Sequence, residues 1–334
     1  MFSVLEIGGH CTRPSRYWEE LNKMNLSQLR QNGYENFKRT IALNYFTFSR
    51  LFPWDSQIKF LCKRLPFVTV FKAGIRTFRN ARQDFFTITS IPQALAYNFL
   101  SLLQWAYLFT LPLNSRLLDI REPEEGNALI VEPKPGMKVS QDLANSILEY
   151  DSFASAIPSK KPTIVELGAG YGRNAFVILK MHPDAKFIIV DIPPALWVSE
   201  RYLSGVFPEK RIFRYRDFSN FDEVAEEFER SDIVYLLSSQ INLLPNGGAD
   251  LILNISSLHE MRPEQIAFYF EQFDRVLRIE GAMYTKQWRT AKVLFEGLTL
   301  VEADYPIPTT WRKVFSRTAR VQTKFFEALY IKSR

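Results

Sequence analysis

The spacing of apolar residues along the chain changes near Pro162. Up to about residue 115, apolar and aromatic side chains recur three or four positions apart, which is typical of amphipathic helices. After Pro162, short apolar runs alternate with stretches of helical spacing. The pattern therefore predicts a mainly helical N-terminal cap or acceptor-binding region over residues 1–140, and an α/β domain over residues 141–334.

The second region reads as strands that alternate with helices. We expect strands at TIVELG, AKFIIVD, DIVYLLSS, ADLILNISS and GAMYTKQW, with LTLVEADYPIP and KFFEALYIKS as a closing strand pair. Such alternation predicts a Rossmann-like, doubly wound, mostly parallel seven-stranded sheet. The stretch 211–231 is longer than a simple link, and it is either an extra helix or a peripheral flap. Ser140 and Asp142 are candidate caps for a helix that begins near residue 141.

The segment 94–113 is long and apolar enough to raise the question of a membrane. Asn98, Ser101 and Gln104 lie in its middle, and Pro92 and Pro112 lie near its ends. Ser90 followed by Pro92 suits the start of a helix. We therefore predict a helix that is buried in protein, with a membrane-resting or spanning helix as the alternative.

Composition narrows the class of protein. The chain has 334 residues, 46% of them hydrophobic and 23% charged, as expected for a folded and not a disordered protein. Its two cysteines, Cys11 and Cys62, form no CxxC motif or His/Cys cluster, so we expect no disulfide framework and no metal site. The N-terminus lacks the pattern of a secretory signal, which favours a cytoplasmic location.

The stretch TIVELGAGYGRNAF, residues 163–176, joins a strand to a helix through three alternating glycines. A dinucleotide site has the spacing GxGxxG, which would place its third glycine at 173, where this chain has Arg173. The glycines are instead Gly168, Gly170 and Gly172, and an acid, Glu166, precedes them by two residues. Asp191 ends the next strand, where a carboxylate can accept ribose hydroxyls.

This pattern resembles the first motif of the class I S-adenosylmethionine-dependent methyltransferases. The resemblance implies S-adenosylmethionine as cofactor, bound by Glu166, the three glycines and Asp191. A positively charged cofactor suits a nearby acid. A nicotinamide enzyme and a purely structural turn remain the alternatives. Further candidates for the pocket wall follow strand ends: Ser238 and Gln240, near the expected adenine of the cofactor, and Gln287 after GAMYTK.

We expect the residues that contact the methyl acceptor to follow the strand ADLILNISS. Enzymes that methylate an exocyclic amine of a base typically carry Asn/Asp-Pro-Pro-aromatic there, and this chain does not. The sequence continues into His259-Glu260, which resembles the His-Asp step of small-molecule O-methyltransferases. The resemblance implies His259 as the general base, with Glu260 as its partner or as an alternative base. A histidine that is only hydrogen-bonded in the core is the competing interpretation.

Longer stretches resemble the bacterial sugar O-methyltransferases associated with surface polysaccharide. The similar stretches are YWEELN with GYENFKRTIALNYF, GMKVSQDLANSILEYDSF, ELGAGYGR, VDIPPALWVSERYL and NISSLHEM. Asp191-Ile192-Pro193 is the most distinctive of these features, and it adds Ile192 to the cofactor site. The resemblance implies methyl transfer to a hydroxyl of a sugar, carried on a nucleotide or a glycan. Another small hydroxylated metabolite, such as a phenol or polyketide, is the alternative acceptor.

The formal charge of +6 is concentrated in the first half of the chain. A run of basic residues without an intervening acid contains Lys59, Lys63, Arg64, Lys72, Arg76, Arg79 and Arg82. It could meet a diphosphate or an anionic membrane surface, which leaves peripheral association with the inner membrane open. It could equally be a solvated helix face. An RNA-binding protein is disfavoured, because no base-stacking motif accompanies the charge. The oligomeric state is not fixed by the sequence.

Overall fold

The computed structural model describes residues 15–41, 54–80, 91–293 and 296–333. The chain divides into two compact units. One, here called the helical unit, comprises residues 27–152 and 320–323. The other, the sheet unit, comprises the residues up to 26, residues 153–319 and residues 324 onward. The boundary that the sequence predicts at residue 140 stays a prediction.

Helices predominate in the first part of the chain. In chain order they are α1 (Arg16–Asn32), α2 (Trp54–Cys62), α3 (Phe67–Asn80), α4 (Ile91–Leu108), α5 (Ser115–Leu118) and α6 (Gln141–Phe153), with a 3₁₀ helix at Tyr34–Arg39. The predicted cap of α6 is confirmed at Ser140, whose hydroxyl accepts a hydrogen bond from the amide of Leu143 at 3.0 Å.

Helix α4 contains most of the long apolar segment of the sequence. Leu100, Leu103 and Trp105 are fully buried in it. Two of its polar residues form hydrogen bonds inside the protein: the Gln104 amide nitrogen donates to Asn145 Oδ1 at 2.6 Å, and the Ser101 hydroxyl donates to the Tyr97 carbonyl at 2.8 Å. The prediction of a buried helix is thus confirmed. Within the described residues, no helix has the length and apolarity needed to cross a membrane.

The sheet unit has an eight-stranded sheet. Its strands are β1 (Thr163–Leu167), β2 (Lys186–Asp191), β3 (Ile212–Phe213), β4 (Ile233–Leu237), β5 (Ala249–Ile255), β6 (Leu277–Trp288), β9 (Trp311–Thr318) and β10 (Phe325–Lys332). They lie in the order β3-β4-β2-β1-β5-β6-β10-β9, and the first six are parallel. Strand β10 is antiparallel to both of its neighbours, β6 and β9.

This arrangement confirms the predicted Rossmann-like, mostly parallel fold, which closing antiparallel strands complete. The helices of the unit are α7 (Arg173–Met181), α8 (Pro193–Val206), α9 (Ala225–Arg230) and α10 (Pro263–Val276). The strands are nearly continuous runs of Val, Ile and Leu because the core of a parallel sheet is buried on both faces. The carboxyl ends of β1, β2, β4 and β5 meet at one edge of the sheet, where ligands of such folds bind.

Two details differ from the sequence-based expectation. The sheet has one strand more than predicted, since β3 adds a two-residue edge strand. The stretch 211–231 contains this strand, a 3₁₀ turn and α9, so the extra helix is the correct alternative. The predicted closing pair was wrong: β10 pairs with β9, whereas β8 (Leu298–Val301) pairs with β7 (Thr290–Val293) in a separate small sheet. Strand β9 has exposed polar positions along most of its length, so it contains no apolar run that would predict a strand.

Candidate active site

The glycine loop between β1 and α7 has the backbone that its sequence predicts. Gly168, Gly170 and Gly172 all have positive φ, at 76°, 60° and 86°. A side chain at Gly168 would also collide with its surroundings, because a Cβ there would lie 2.5 Å from the Ser257 hydroxyl oxygen. Glycine is therefore required at this position both for its φ angle and for the close approach of the β5 connection.

Asp191, at the end of β2, is held by backbone amides. Its Oδ2 accepts a hydrogen bond from Gly170 N–H at 2.8 Å, and its Oδ1 accepts one from Ile192 N–H at 2.7 Å. Burial raises the pKa of this carboxyl to about 7, although both hydrogen bonds act in the opposite direction. Each oxygen keeps a further lone pair, so the carboxylate can still accept two hydroxyl donors.

Glu166 lies near the end of β1, just before the glycine loop, with only 1% of the residue exposed. Its Oε1 accepts a hydrogen bond from the Asn174 amide at 3.2 Å, and Asn174 belongs to the first turn of α7. The acid therefore ties β1 to the following helix. The structure brings Glu166, the three glycines, Asp191 and Ile192 together around this turn, and their role in cofactor binding stays a prediction.

The two residues predicted near the adenine follow β4 in a 3₁₀ turn, Ser238–Leu243. Both polar ends of the Gln240 side chain bind backbone. Its Oε1 accepts from Leu237 N–H at 2.9 Å, and its Nε2 donates to the Arg216 carbonyl at 2.9 Å. Gln240 thus shapes this loop, while Ser238 lies at its start with 9% of the residue exposed.

The connection after β5 is tightly cross-linked to β1. Asn254, which is fully buried, donates to the Leu167 carbonyl at 2.9 Å. Ser257 donates to the same carbonyl at 3.3 Å. Between them, Ser256 has a φ of 58°, in the left-handed region that a non-glycine residue rarely adopts. Strain of this kind is often found at functional sites, because the surrounding contacts must hold it in place.

His259 lies just beyond this turn, in a 3₁₀ turn at Leu258–Glu260, and 6% of the residue is exposed. Its Nδ1 lies 2.8 Å from Oε1 of Gln287, a residue of β6. The amide nitrogen of Gln287 donates to Asn254 Oδ1 at 2.6 Å. Because Asn254 itself donates to a carbonyl, every amide in this series has a defined orientation.

The orientation of the amides fixes the tautomer of the histidine. Gln287 can offer only its oxygen to the ring, so Nδ1 carries the hydrogen in the neutral imidazole and Nε2 keeps its lone pair. Burial lowers the pKa of His259 to about 4, and the hydrogen bond with Gln287 opposes this shift. At neutral pH the ring is therefore uncharged, and Nε2 is able to accept a proton.

Glu260 is the second ionisable group at this end of β5. Its Oε1 lies 3.8 Å from His259 Nε2, and 23% of its side chain is exposed. Burial raises the pKa of the Glu260 carboxyl to about 8; a hydrogen bond from Trp18 lowers it in part, and the charge of Asp191 raises it further. Glu260 Oε2 is buried and has no hydrogen-bond partner among the described residues.

Two aromatic residues border the histidine ring. Trp288 and Phe325 pack against each other with ring centroids 4.6 Å apart. Each also makes an edge contact with His259, at 6.5 and 6.4 Å. The imidazole thus has an apolar wall on one side, which explains the strong effect of burial on its pKa.

Sequence reasoning missed several parts of this arrangement. Asn254, Ser257 and Trp18 were not predicted as site residues, and Gln287 was only a candidate for the pocket wall. Trp18 lies in YWEELN, one of the stretches singled out in the sequence, so a signal for it was present. The contacts of Asn254 and Gln287 had no such signal, because they depend on the adjacency of distant strands.

His10, Cys11 and Arg82 lie outside the described residues, as does the side chain of Arg79.

No group of three or more His, Cys, Asp or Glu side chains suited to a metal ion occurs in the described part of the chain. No family model matches the sequence, and the curated proteins contain no match.

Solved structures that resemble the chain are distant. An S-adenosylmethionine-dependent methyltransferase from Aquifex aeolicus is 12% identical, with 56% of this chain and 93% of that chain covered and a TM-score of 0.35. One from Mesorhizobium loti is 14% identical, with coverages of 55% and 97% and a TM-score of 0.36. One from Leishmania major is 15% identical, with coverages of 56% and 71% and a TM-score of 0.40. Similarity at this level carries no argument about activity, so the fold assignment rests on the strand order of this chain.

Proposed function

We propose that this protein is an S-adenosylmethionine-dependent O-methyltransferase that acts on a sugar hydroxyl, in a nucleotide sugar or a surface-polysaccharide glycan. The observation that carries the proposal is the defined tautomer of His259 at the carboxyl end of β5. A neutral imidazole with a lone pair on Nε2 is suited to remove a proton from a hydroxyl. The partly exposed carboxyl of Glu260 lies beside that nitrogen. The choice of a sugar comes from the sequence resemblance.

The residues at the sheet edge fit the proposed cofactor. Asp191 keeps lone pairs on both carboxylate oxygens for the two hydroxyls of a ribose. The buried Oε2 of Glu260 suits a positively charged neighbour, since a cation would favour its ionised form. When bound, S-adenosylmethionine supplies an electrophilic methyl group with a good leaving group. Glu166 holds the loop through Asn174.

The side chains of the chain then have separate tasks. His259 accepts the proton of the acceptor hydroxyl at Nε2 while the oxygen forms its new bond. Gln287 keeps the ring in the required tautomer and orientation. The imidazolium that results lies 3.8 Å from Glu260 Oε1, and the ionised form of Glu260, which a bound cation favours, stabilises it at that distance. Trp18 positions Glu260 through its hydrogen bond.

The aromatic pair Trp288 and Phe325 is suited to the apolar face of a sugar ring and equally to a phenol. This observation therefore supports the alternative function, methylation of another small hydroxylated metabolite such as a phenol or polyketide, as much as it supports the first. The two proposals differ only in the acceptor.

The test is transfer of a labelled methyl group from S-adenosylmethionine to fractionated sugar nucleotides, cell glycans and phenolic metabolites. We expect label in a sugar fraction, and label confined to phenols would favour the alternative. Calorimetry with S-adenosylmethionine alone tests the first step, and absence of binding would contradict both proposals. Label on an amine in place of a hydroxyl would contradict O-methylation.

A further inference from the structure

Helix α3 of the helical unit exposes an unusual number of large apolar side chains. Of the nine large hydrophobic residues that are exposed in the described part of the chain, five belong to this helix. Four of them are spaced four, four and three positions apart, so they form one stripe along the helix. The stripe and its neighbour comprise Phe67, Val68, Phe71, Ile75 and Phe78, which are 80%, 59%, 60%, 46% and 70% exposed.

The opposite side of α3 attaches the helix to the protein with small residues. Ala73 and Thr77 are buried, and the Thr77 hydroxyl donates to the Ala73 carbonyl at 2.9 Å. An amphipathic helix of a globular protein normally buries its largest apolar residues and exposes the others. Helix α3 does the reverse, because its three phenylalanines face outward.

Basic residues border the apolar stripe. Lys72 and Arg76 lie on α3 to one side of the stripe. Lys63 and Arg64 lie in the turn that precedes α3, and all four side chains are exposed. Lys63 and Lys72 form no ion pair with the residues that the structure describes. Arg76 donates to the Pro133 carbonyl, and the Arg64 guanidinium lies 3.6 Å from the centroid of the Phe60 ring. The sequence contains no acid between Asp55 and Asp84, so α3 and the turn before it carry only positive charges.

We propose that α3 docks on the surface of an anionic lipid bilayer, with its axis parallel to the membrane. The phenylalanine stripe then lies at the boundary between headgroups and acyl chains, and the bordering cations contact lipid phosphates. A second copy of the chain fits this face less well, because symmetric pairing would place the same cations close together without any acid between them. The proposal rests on α3 alone and does not depend on the proposed enzymatic function.

The test is cosedimentation of the full-length protein with vesicles of phosphatidylcholine, with and without phosphatidylglycerol. We expect binding to the anionic vesicles that weakens as salt is added. The double variant F71S/F78S should lower the partition coefficient at least tenfold, since two large apolar side chains leave the interface. The double variant K63Q/K72Q should lower it roughly tenfold on anionic vesicles. I279S removes a side chain that is 62% exposed on β6, and it should bind like the unmodified protein.

Three results would overturn the proposal. The first is binding to anionic vesicles that F71S/F78S leaves unchanged, and the second is no binding at low salt. The third is a concentration-dependent dimer, seen by sedimentation velocity, that F71S/F78S abolishes, since the occupant of the stripe would then be a second copy. The substituted side chains are exposed, so thermal unfolding of each variant should match that of the unmodified protein and exclude a folding defect.

Discussion

The ends of β2 and β5 present the two sides of the candidate active site, and they hold their ionisable groups in different ways. Asp191 is fixed by two backbone amides, one of them within the glycine loop. His259 is fixed by side-chain amides that run from Gln287 to Asn254 and on to the Leu167 carbonyl. The first end depends on backbone conformation, whereas the second depends on the identity of distant side chains. Substitutions should therefore separate cofactor binding from turnover.

The largest effect is expected at the β5 end. His259→Ala should lower kcat by roughly 10²-fold or more, because the proton acceptor is lost. Cofactor affinity measured by calorimetry should not change. His182→Ala is the matched control, since His182 caps the end of α7 and should be dispensable. Full turnover of the His259 variant would show that the histidine is structural.

The corresponding substitution at the β2 end is Asp191→Ala, which should raise the dissociation constant of S-adenosylmethionine at least tenfold, or about 1.4 kcal/mol. The pKa of Asp191 is about 7 in the free protein, and its ionised form is the better acceptor for ribose hydroxyls. Affinity should therefore rise as the pH increases from 6 to 8.

The control for Asp191 is a carboxylate at the other edge of the sheet. Asp250 accepts a hydrogen bond from Thr163 N–H at 2.7 Å, and Asp250→Asn should leave both affinity and its pH dependence unchanged. Asp191→Asn should bind weakly at every pH. Glu260→Gln removes the contribution of the second ionisable group, whose pKa is about 8, to the pH dependence of affinity. If Asp191→Asn kept the full pH dependence, the titration would belong to another residue.

A substitution that retains the histidine tests the role of its partner. Gln287→Leu should lower kcat roughly tenfold, because the ring loses its orientation. Gln287→Glu places a carboxylate against Nδ1 and should raise the pKa of His259 from about 4. With saturating cofactor, kcat of the unmodified enzyme should then stay constant from pH 8 to 6, whereas kcat of the Glu variant should fall. Identical profiles would argue against a role for Gln287 in proton transfer.

The smallest difference concerns the glycine loop. Alanine at position 168 must adopt the positive φ of Gly168 and also collides with Ser257. Alanine at position 136 must adopt a φ of 72° but meets no neighbour within 4 Å. Gly168→Ala should therefore lower the free energy of unfolding by about 1 kcal/mol more than Gly136→Ala does. Denaturant unfolding measures this difference, and equal losses would show that the loop can adjust.

The β2 end was predictable from the sequence, because its determinants are local. Three glycines, the apolar strands and Asp191 lie within one short βαβ segment, and each has a direct conformational meaning. The parallel part of the sheet followed from apolar periodicity for the same reason. Strand β9 did not, since its residues are mostly polar and its pairing with β10 is decided by the closing antiparallel hairpin.

The β5 end was predictable only in part. His259 and Glu260 were found from their position after a strand, but the groups that orient them were not. Gln287 is 28 residues from His259, and Trp18 lies far away in α1. The pairing of β5 with β6 brings Asn254 opposite Thr285, two residues from Gln287, and this register cannot be read from either strand alone.

Because Ser256 has a left-handed backbone conformation, the number of residues in the connection after β5 is constrained as well as their identity. Three residues lie between Asn254 and Leu258, whose N–H donates to the Asn254 side chain at 3.3 Å. Insertion or deletion of a single residue in this connection would rotate the imidazole away from β6, whatever amino acid was used. Distant relatives should therefore be sought by the spacing between the asparagine and the histidine, and a protein that keeps both residues at another interval should be expected to have a different chemistry.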